Sequence, residues 1–179
     1  GRTGEYADLS PAGHDRLAEA TRVLVRRLEA AEPVDAVDEV TKADLLSESK
    51  LSLEAYDAKL HLRDLNVIAS PAQEIRDTFD LMPTASVDDW ATIAQRLGNL
   101  PAAVAGYIET LRAGIAEGVV PAKRQVREVA EQSRRNGRPD GFFADFAGNA
   151  APESGELPES LRADLASNAQ AAAAAYREL

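Results

Sequence analysis

The sequence predicts an all-α fold, an irregular array of about seven or eight helices, and three observations carry that expectation. Apolar residues recur at steps of three and four through most of the chain, most cleanly at Leu100, Val104, Ile108, Leu111 and Ile115. Helix start signals repeat: Ser-Pro pairs stand at Ser10-Pro11 and Ser70-Pro71, and Ser86 precedes Asp88 and Asp89. A serine side chain can accept from the free N–H groups of a first turn, and proline is tolerated there because its missing N–H is not needed. Aromatic residues are only 5% of the 179, and alanine supplies much of the 45% that is hydrophobic. That composition favours close helix packing over a sheet of β-branched and aromatic side chains.

The elements follow in order. Residues 1–9 lack a period and read as a lead-in strap. Ser10-Pro11 opens a first helix whose Leu17, Ala20, Leu24, Leu28 and Ala31 share one face, and Glu32-Pro33 stops it. A second long helix is expected from Asp35 to Leu62, with Leu46, Leu53, Tyr56 and Leu60 as its stripe. Asp64 to Ala69 reads as a short buried connector. Ser70, with Gln73 in the capping-box position, opens a brief helix that ends near Met82-Pro83. Ser86 caps the next helical stretch, which carries Trp90, Ile93 and Leu97, runs into the Leu100–Ile115 stripe and stops at Gly118. Pro121 opens another with Val126 and Val129 inside, closing near Asn136-Gly137. Phe142, Phe143 and Phe146 mark a short aromatic helix. Residues 148–157 read as a flexible loop, and Leu161, Leu165, Ala172, Tyr176 and Leu179 line a final helix. That last stripe stays in phase to the end with no stop signal, so it reads as an open apolar surface. With no initiator Met at the other end, residues 1–179 read as one helical domain, the N-terminal fragment of a larger protein.

Thirty acidic residues against twenty basic ones give a net charge of −10. Such a surface repels phosphate backbones and anionic lipid, so neither nucleic acid nor a membrane is expected as a partner. No apolar run reaches the length of a membrane span and no signal peptide is visible, and a cytoplasmic protein is expected. The absence of cysteine excludes disulfides, thiolate nucleophiles and Cys-zinc sites. One basic cluster exists, Lys123, Arg124, Arg127, Arg134, Arg135 and Arg138. Glu128 and Glu131 interrupt it and no aromatic residue interleaves it, so it reads as a solvated, ion-paired face.

The residues offer no catalytic or metal constellation. The two histidines, His14 and His61, lie on different predicted helices and outside any His-Glu-x-x-His spacing. His14 reads as a surface residue, and His61 as a group that satisfies a local carbonyl or looks into a cleft. The serines at helix starts are explained as caps, and the glycines form no phosphate-binding loop. The connector is different. It gathers His61, Asp64, Asn66 and Gln73 around an apolar irregular segment between two helices, where polar groups must find partners or line a cleft. These four are the candidate groove residues.

The same stretch carries a resemblance. His61-Leu-Arg-Asp-Leu-Asn-Val-Ile-Ala-Ser-Pro-Ala-Gln73, followed by Ile75-Arg-Asp-Thr-Phe-Asp-Leu-Met-Pro83, resembles the bacterial family called domain of unknown function 885. So do Asp89-Trp90, the Leu-x-x-Leu-Pro-Ala stretch at Leu97–Ala102, Gly118-Val-Val-Pro-Ala-Lys-Arg-Gln-Val126, and Leu161-Arg-Ala-Asp-Leu165 before an Ala-rich helix. The preference for Arg over Lys and the abundance of Ala resemble actinobacterial members. The resemblance implies a helical zinc metallopeptidase of the thermostable-carboxypeptidase type, built around a deep groove, in proteins much longer than this chain. Zinc would be held by a His-Glu-x-x-His helix and a further Glu that this sequence does not contain, and no catalytic residue carries over. Asn66 and Gln73 match the family's connector and are expected to face the groove.

Two readings result. In the first, the chain is the N-terminal helical region of a zinc-dependent peptidase, a wall or lid of its substrate groove, inactive alone. Its partner is then the missing C-terminal catalytic portion, with peptide as the substrate of the whole protein. In the alternative, it is a non-enzymatic helical interaction or dimerisation module whose partner is another protein or a second copy of itself.

Overall fold

The structure, a computed structural model, describes residues 3–153 and 155–179. Gly1 and Arg2 of the expected strap, and Ser154 of the expected loop, lie outside the described residues. Among those described, the regular elements are α1 Pro11–Ala30, α2 Ala36–Asp57, a 3-10 turn Leu60–Arg63, α3 Pro71–Asp77, a second 3-10 turn Thr78–Asp80, α4 Val87–Glu117, α5 Lys123–Asn136, α6 Phe142–Gly148 and α7 Glu159–Glu178. All are helical, as the sequence predicts.

The start signals act as expected. The Ser10 hydroxyl accepts from the Gly13 N–H at 3.1 Å, and that of Ser86 accepts from the Asp89 N–H at 3.1 Å. Asp89 reciprocates by accepting from the Ser86 N–H at 2.8 Å, and Gln73 Oε1 accepts from the Ser70 N–H at 3.1 Å. Each such cap is worth about 1 kcal/mol. Gly118, at φ 74°, turns the chain out of α4 through a backbone region that glycine enters without steric cost.

Two boundaries differ from expectation. α2 ends at Asp57 rather than Leu62, because Lys59 adopts a left-handed conformation (φ 59°) and the chain re-enters as the Leu60–Arg63 turn. Pro121 precedes α5 instead of opening it, with Ala122 as the N-cap. α4 runs through Pro101 although that residue offers no N–H to the ladder.

α4 has 31 residues, so it extends about 46 Å and serves as the axis of the fold. α7 lies along it, and α3 and α6 close around its first half. Phe79, Trp90, Ile93, Leu97, Leu100, Phe143, Leu165 and Tyr176 form the interior. Ala169, Ala172 and Ala173 of α7 contribute only methyl groups to this interior, which keeps the helix close to its neighbours. Leu165, Ala172 and Tyr176 are buried, so the stripe expected to be open on the final helix is covered.

The uncovered stripe is elsewhere. α1 and α2 pair as an antiparallel hairpin that joins the rest of the fold through the first turns of α1 and the Leu60–Arg63 turn. Leu17 and Leu24, on the apolar face that the spacing predicts for α1, are 64% and 43% exposed. Val126 of α5 is likewise exposed, while Val129 is buried as expected.

Tyrosine hydroxyls from three distant segments hold the connector and α3. Tyr107 donates to the Asp64 carbonyl at 2.6 Å, Tyr176 to that of Ala72 at 2.8 Å, and Tyr6 to that of Ile75 at 3.1 Å. Burial pushes the Tyr6 phenol up to about 12 and raises those of Tyr107 and Tyr176 further, so all three remain donors.

Candidate functional site

A cleft opens where the base of the hairpin meets the Leu60–Arg63 turn. Three elements build it. α1 begins at Pro11 and α2 ends at Asp57, so antiparallel pairing brings His14 and Asp15 beside Tyr56. The left-handed Lys59 then folds the chain back, which buries Leu62 and turns His61 toward α1. Lys59 itself pairs with Glu117 of α4, tying this reversal to the central helix. The cleft has a volume of about 480 Å³, with Leu17, Ala18, Leu53 and Leu60 as apolar walls and His14, Tyr56, His61 and Asp64 as polar groups.

The rings form a stack across the three elements. Tyr56 lies against His61 with centroids 4.9 Å apart and planes at 8°, and His14 stands on His61 at 4.8 Å and 34°. The Tyr56 hydroxyl donates to the Asp15 carboxylate, and Arg22 covers the Tyr56 ring at 5.6 Å. His61 Nδ1 is buried and has no hydrogen-bond partner among the described residues. A buried polar atom without a partner costs free energy and marks a place where a ligand atom can be accepted.

The two histidines of the cleft are disfavoured in their charged forms. Desolvation lowers the pKa of His14 and of His61, and the mutual repulsion of the two rings lowers that of His61 further. Burial raises the Asp64 carboxyl, with His14 pulling it partly back. The site therefore offers neutral imidazoles, which can donate through one nitrogen and accept through the other. Among the described residues no group of three or more His, Cys, Asp or Glu is placed to hold a metal ion. The histidines meet as stacked rings, and their geometry does not fit the zinc that the resemblance implies, so no metal-dependent step is assigned to them.

The depressed histidines predict a pH dependence of stability. Below about 6.5 the unfolded chain binds more protons than the folded one, so stability falls as pH falls through the window under that value. Asp64 acts in the opposite sense at lower pH, because its folded form holds a proton more tightly. Urea unfolding midpoints measured between pH 7.5 and 5.5 are expected to decline, and His14→Gln with His61→Gln should flatten the decline. An unchanged slope in the double variant would remove the stack as its cause.

The structure separates the four candidate groove residues. His61 and Asp64 both line the cleft. Asn66 is engaged in its own loop, with Oδ1 accepting from the Ile68 and Ala69 N–H groups and Nδ2 donating to the Ala69 carbonyl. Gln73 caps α3 and donates from Nε2 to Gln132 of α5 at 2.6 Å, lining a separate shallow depression with Arg76 and Arg135. His14 departs from the surface position expected for it: it is half-buried in the stack. It, Asp15 and Tyr56 were not legible as site residues, although two helices of similar length joined by a short turn do place residue 14 beside residues 56–61. The basic cluster on and after α5 is solvated, with Arg134 paired to Glu131 and Arg138 to Asp140.

A second cavity of about 530 Å³ lies between α6 and α7, bordered by Pro139, Ala144, Arg162 and Arg177. Arg177 is already committed to the Gly137 carbonyl at 2.6 Å, and no titratable cluster adjoins it among the described residues. The cleft beside the hairpin is the better candidate, since polar groups and apolar walls converge there. Comparison with curated proteins gives no match. A family model described as "Bacterial protein of unknown function (DUF885)" matches residues 1–179, and the chain belongs to that family.

Proposed function

We propose that this chain forms one wall of the substrate groove in a zinc-dependent peptidase whose metal-binding residues lie outside it. It contacts peptide through the hairpin cleft and hydrolyses nothing alone. The observation that carries the reading is the cleft itself: apolar walls for a side chain, neutral His14 and His61 beside them, and a buried Nδ1 ready for a backbone group. The resemblance of His61–Gln73 to the family's connector supplies the peptidase class. A neutral imidazole pair recognises amide groups without favouring either charge, as a peptide backbone requires.

Two measurements test it. Short extended peptides titrated into the chain should shift the NMR signals of His14, Tyr56 and His61, and His61→Ala should weaken binding about tenfold, or roughly 1.4 kcal/mol. Zinc with the same peptides should give no turnover, and metal-dependent cleavage by the chain alone would overturn the reading. At the gene, a reading frame that contains His-Glu-x-x-His downstream supports it, and a frame without that motif argues against the peptidase class.

A further inference from the structure

The two broad sides of the α1–α2 hairpin differ in chemistry. On one side ion pairs bridge the helices: Arg22 with Asp57, and Lys50 with Glu29 at 2.8 Å. The other side has no such bridges among the described residues. There Leu17, Thr21 and Leu24 follow one another at helical steps on α1, and helical spacing places Leu45 and Ser52 together on α2. Leu17, Thr21 and Ser52 all line the cavity at the hairpin base, which joins the two stripes there. Leu17 is 64% exposed, and Leu24 and Leu45 are each 43% exposed.

We propose that this bare side of the hairpin is a docking groove for a basic amphipathic helix of a partner protein, which would complete a three-helix bundle. Leu60 lies at the base of this apolar stripe. The chain carries a net charge of −10 and the hairpin shares its acidic excess, so a second copy of this chain would be repelled and is the poorer fit. A single helix laid between two others needs only a narrow stripe with apolar anchors at i, i+3, i+4 and i+7. Charge selects its polar flank. Residues 11–57 hold eleven acidic side chains against six basic ones. Asp44 and Glu48, which border the groove on α2, form no ion pair among the described residues, whereas Arg27 borders the α1 edge near the tip. The basic edge of the docked helix therefore lies over α2. The groove shares Leu17, Thr21, Ser52 and Leu60 with the cleft at its base, so signals at residues 24–28 and 41–48, which lie outside the cleft, tell helix docking from peptide binding.

The probe is an 18-residue synthetic helix with leucines at those spacings and lysines elsewhere, beside a glutamate version and a lysine version with scrambled leucine order. Titrated into the full 179-residue chain, the lysine helix should bind at least tenfold more tightly than either control and weaken as salt rises. It should shift NMR signals along residues 17–28 and 41–52. Leu17→Glu with Leu24→Glu should weaken it at least tenfold, while Leu81→Glu, an exposed leucine elsewhere, should not. If the charged pair disturbs folding by circular dichroism, Leu17→Ser with Leu24→Ser replaces it. Equal affinity for the scrambled helix, no loss in both leucine pairs, or a chain that sediments as a dimer broken by Leu24→Glu would each overturn the proposal.

Discussion

Alanine at position 114 is expected to cost roughly 3 kcal/mol of stability and to disorganise the cleft. Gly114 sits in the last turn of α4 with the Leu60–Arg63 turn lying directly on it. A Cβ there would stand 2.4 Å from the Leu62 carbonyl oxygen and 2.6 Å from that of Val119. Both obstacles are backbone, so neither can swing aside as a side chain would. Either the 3-10 turn lifts away, carrying His61 out of the stack, or the final turn of α4 unwinds and loses the Val119 to Gly114 hydrogen bond of 2.9 Å. Urea unfolding should show a lower midpoint, and the aromatic NMR signals of Tyr56 and His61 should move together. Gly148→Ala is the control, since a Cβ there meets nothing within 4 Å. If both variants unfold at the same midpoint, the close approach of turn to helix is wrong.

Phe143→Ala should cost still more, about 3–5 kcal/mol. The ring is fully buried and joins three elements: it meets Phe79 edge-on at 6.2 Å and 89°, and lies 5.4 Å from Tyr176 of α7. Removing it leaves a cavity that stiff neighbours cannot fill, and a loss of that size is a third or more of the stability of many domains. Calorimetry should show a large fall in Tm. Phe142→Ala should be milder, because that ring is half-buried and one face carries only the Arg76 guanidinium at 3.9 Å. A Phe143→Ala penalty under about 1 kcal/mol would displace this ring from the core.

Local chemistry made most of the fold legible. Ser10, Ser70 and Ser86 announce helix starts because capping depends on neighbours within three residues. Gly118 announces a stop for the same reason. The end of α2 was hidden because Lys59 enters the left-handed region without a glycine to signal it. Which stripes become core was not local information either. Leu17 and Leu24 have the spacing of a core face as surely as Leu165, Ala172 and Tyr176 do, yet only the latter find α4 opposite them. Among candidate groove residues, His61 and Asp64 could be read from their place in an irregular apolar stretch. His14 could not, since its role depends on which helix ends meet. Asn66 and Gln73 share the connector's polarity with His61 and Asp64, but their amides are absorbed by the loop and by α5.

The tyrosine hydrogen bonds also bear on how the chain folds. The Tyr107 contact to the connector and the Tyr6 and Tyr176 contacts to α3 span 43, 69 and 104 residues. Closing such long loops is entropically slow compared with forming a helix or a hairpin. The α1–α2 hairpin can form from neighbouring residues alone, but the connector that carries Asp64 is pinned by Tyr107 only after α4 has docked, and α3 by Tyr176 only after α7 has. The cleft thus matures after the hairpin, and its completion reports that the central helix is in place.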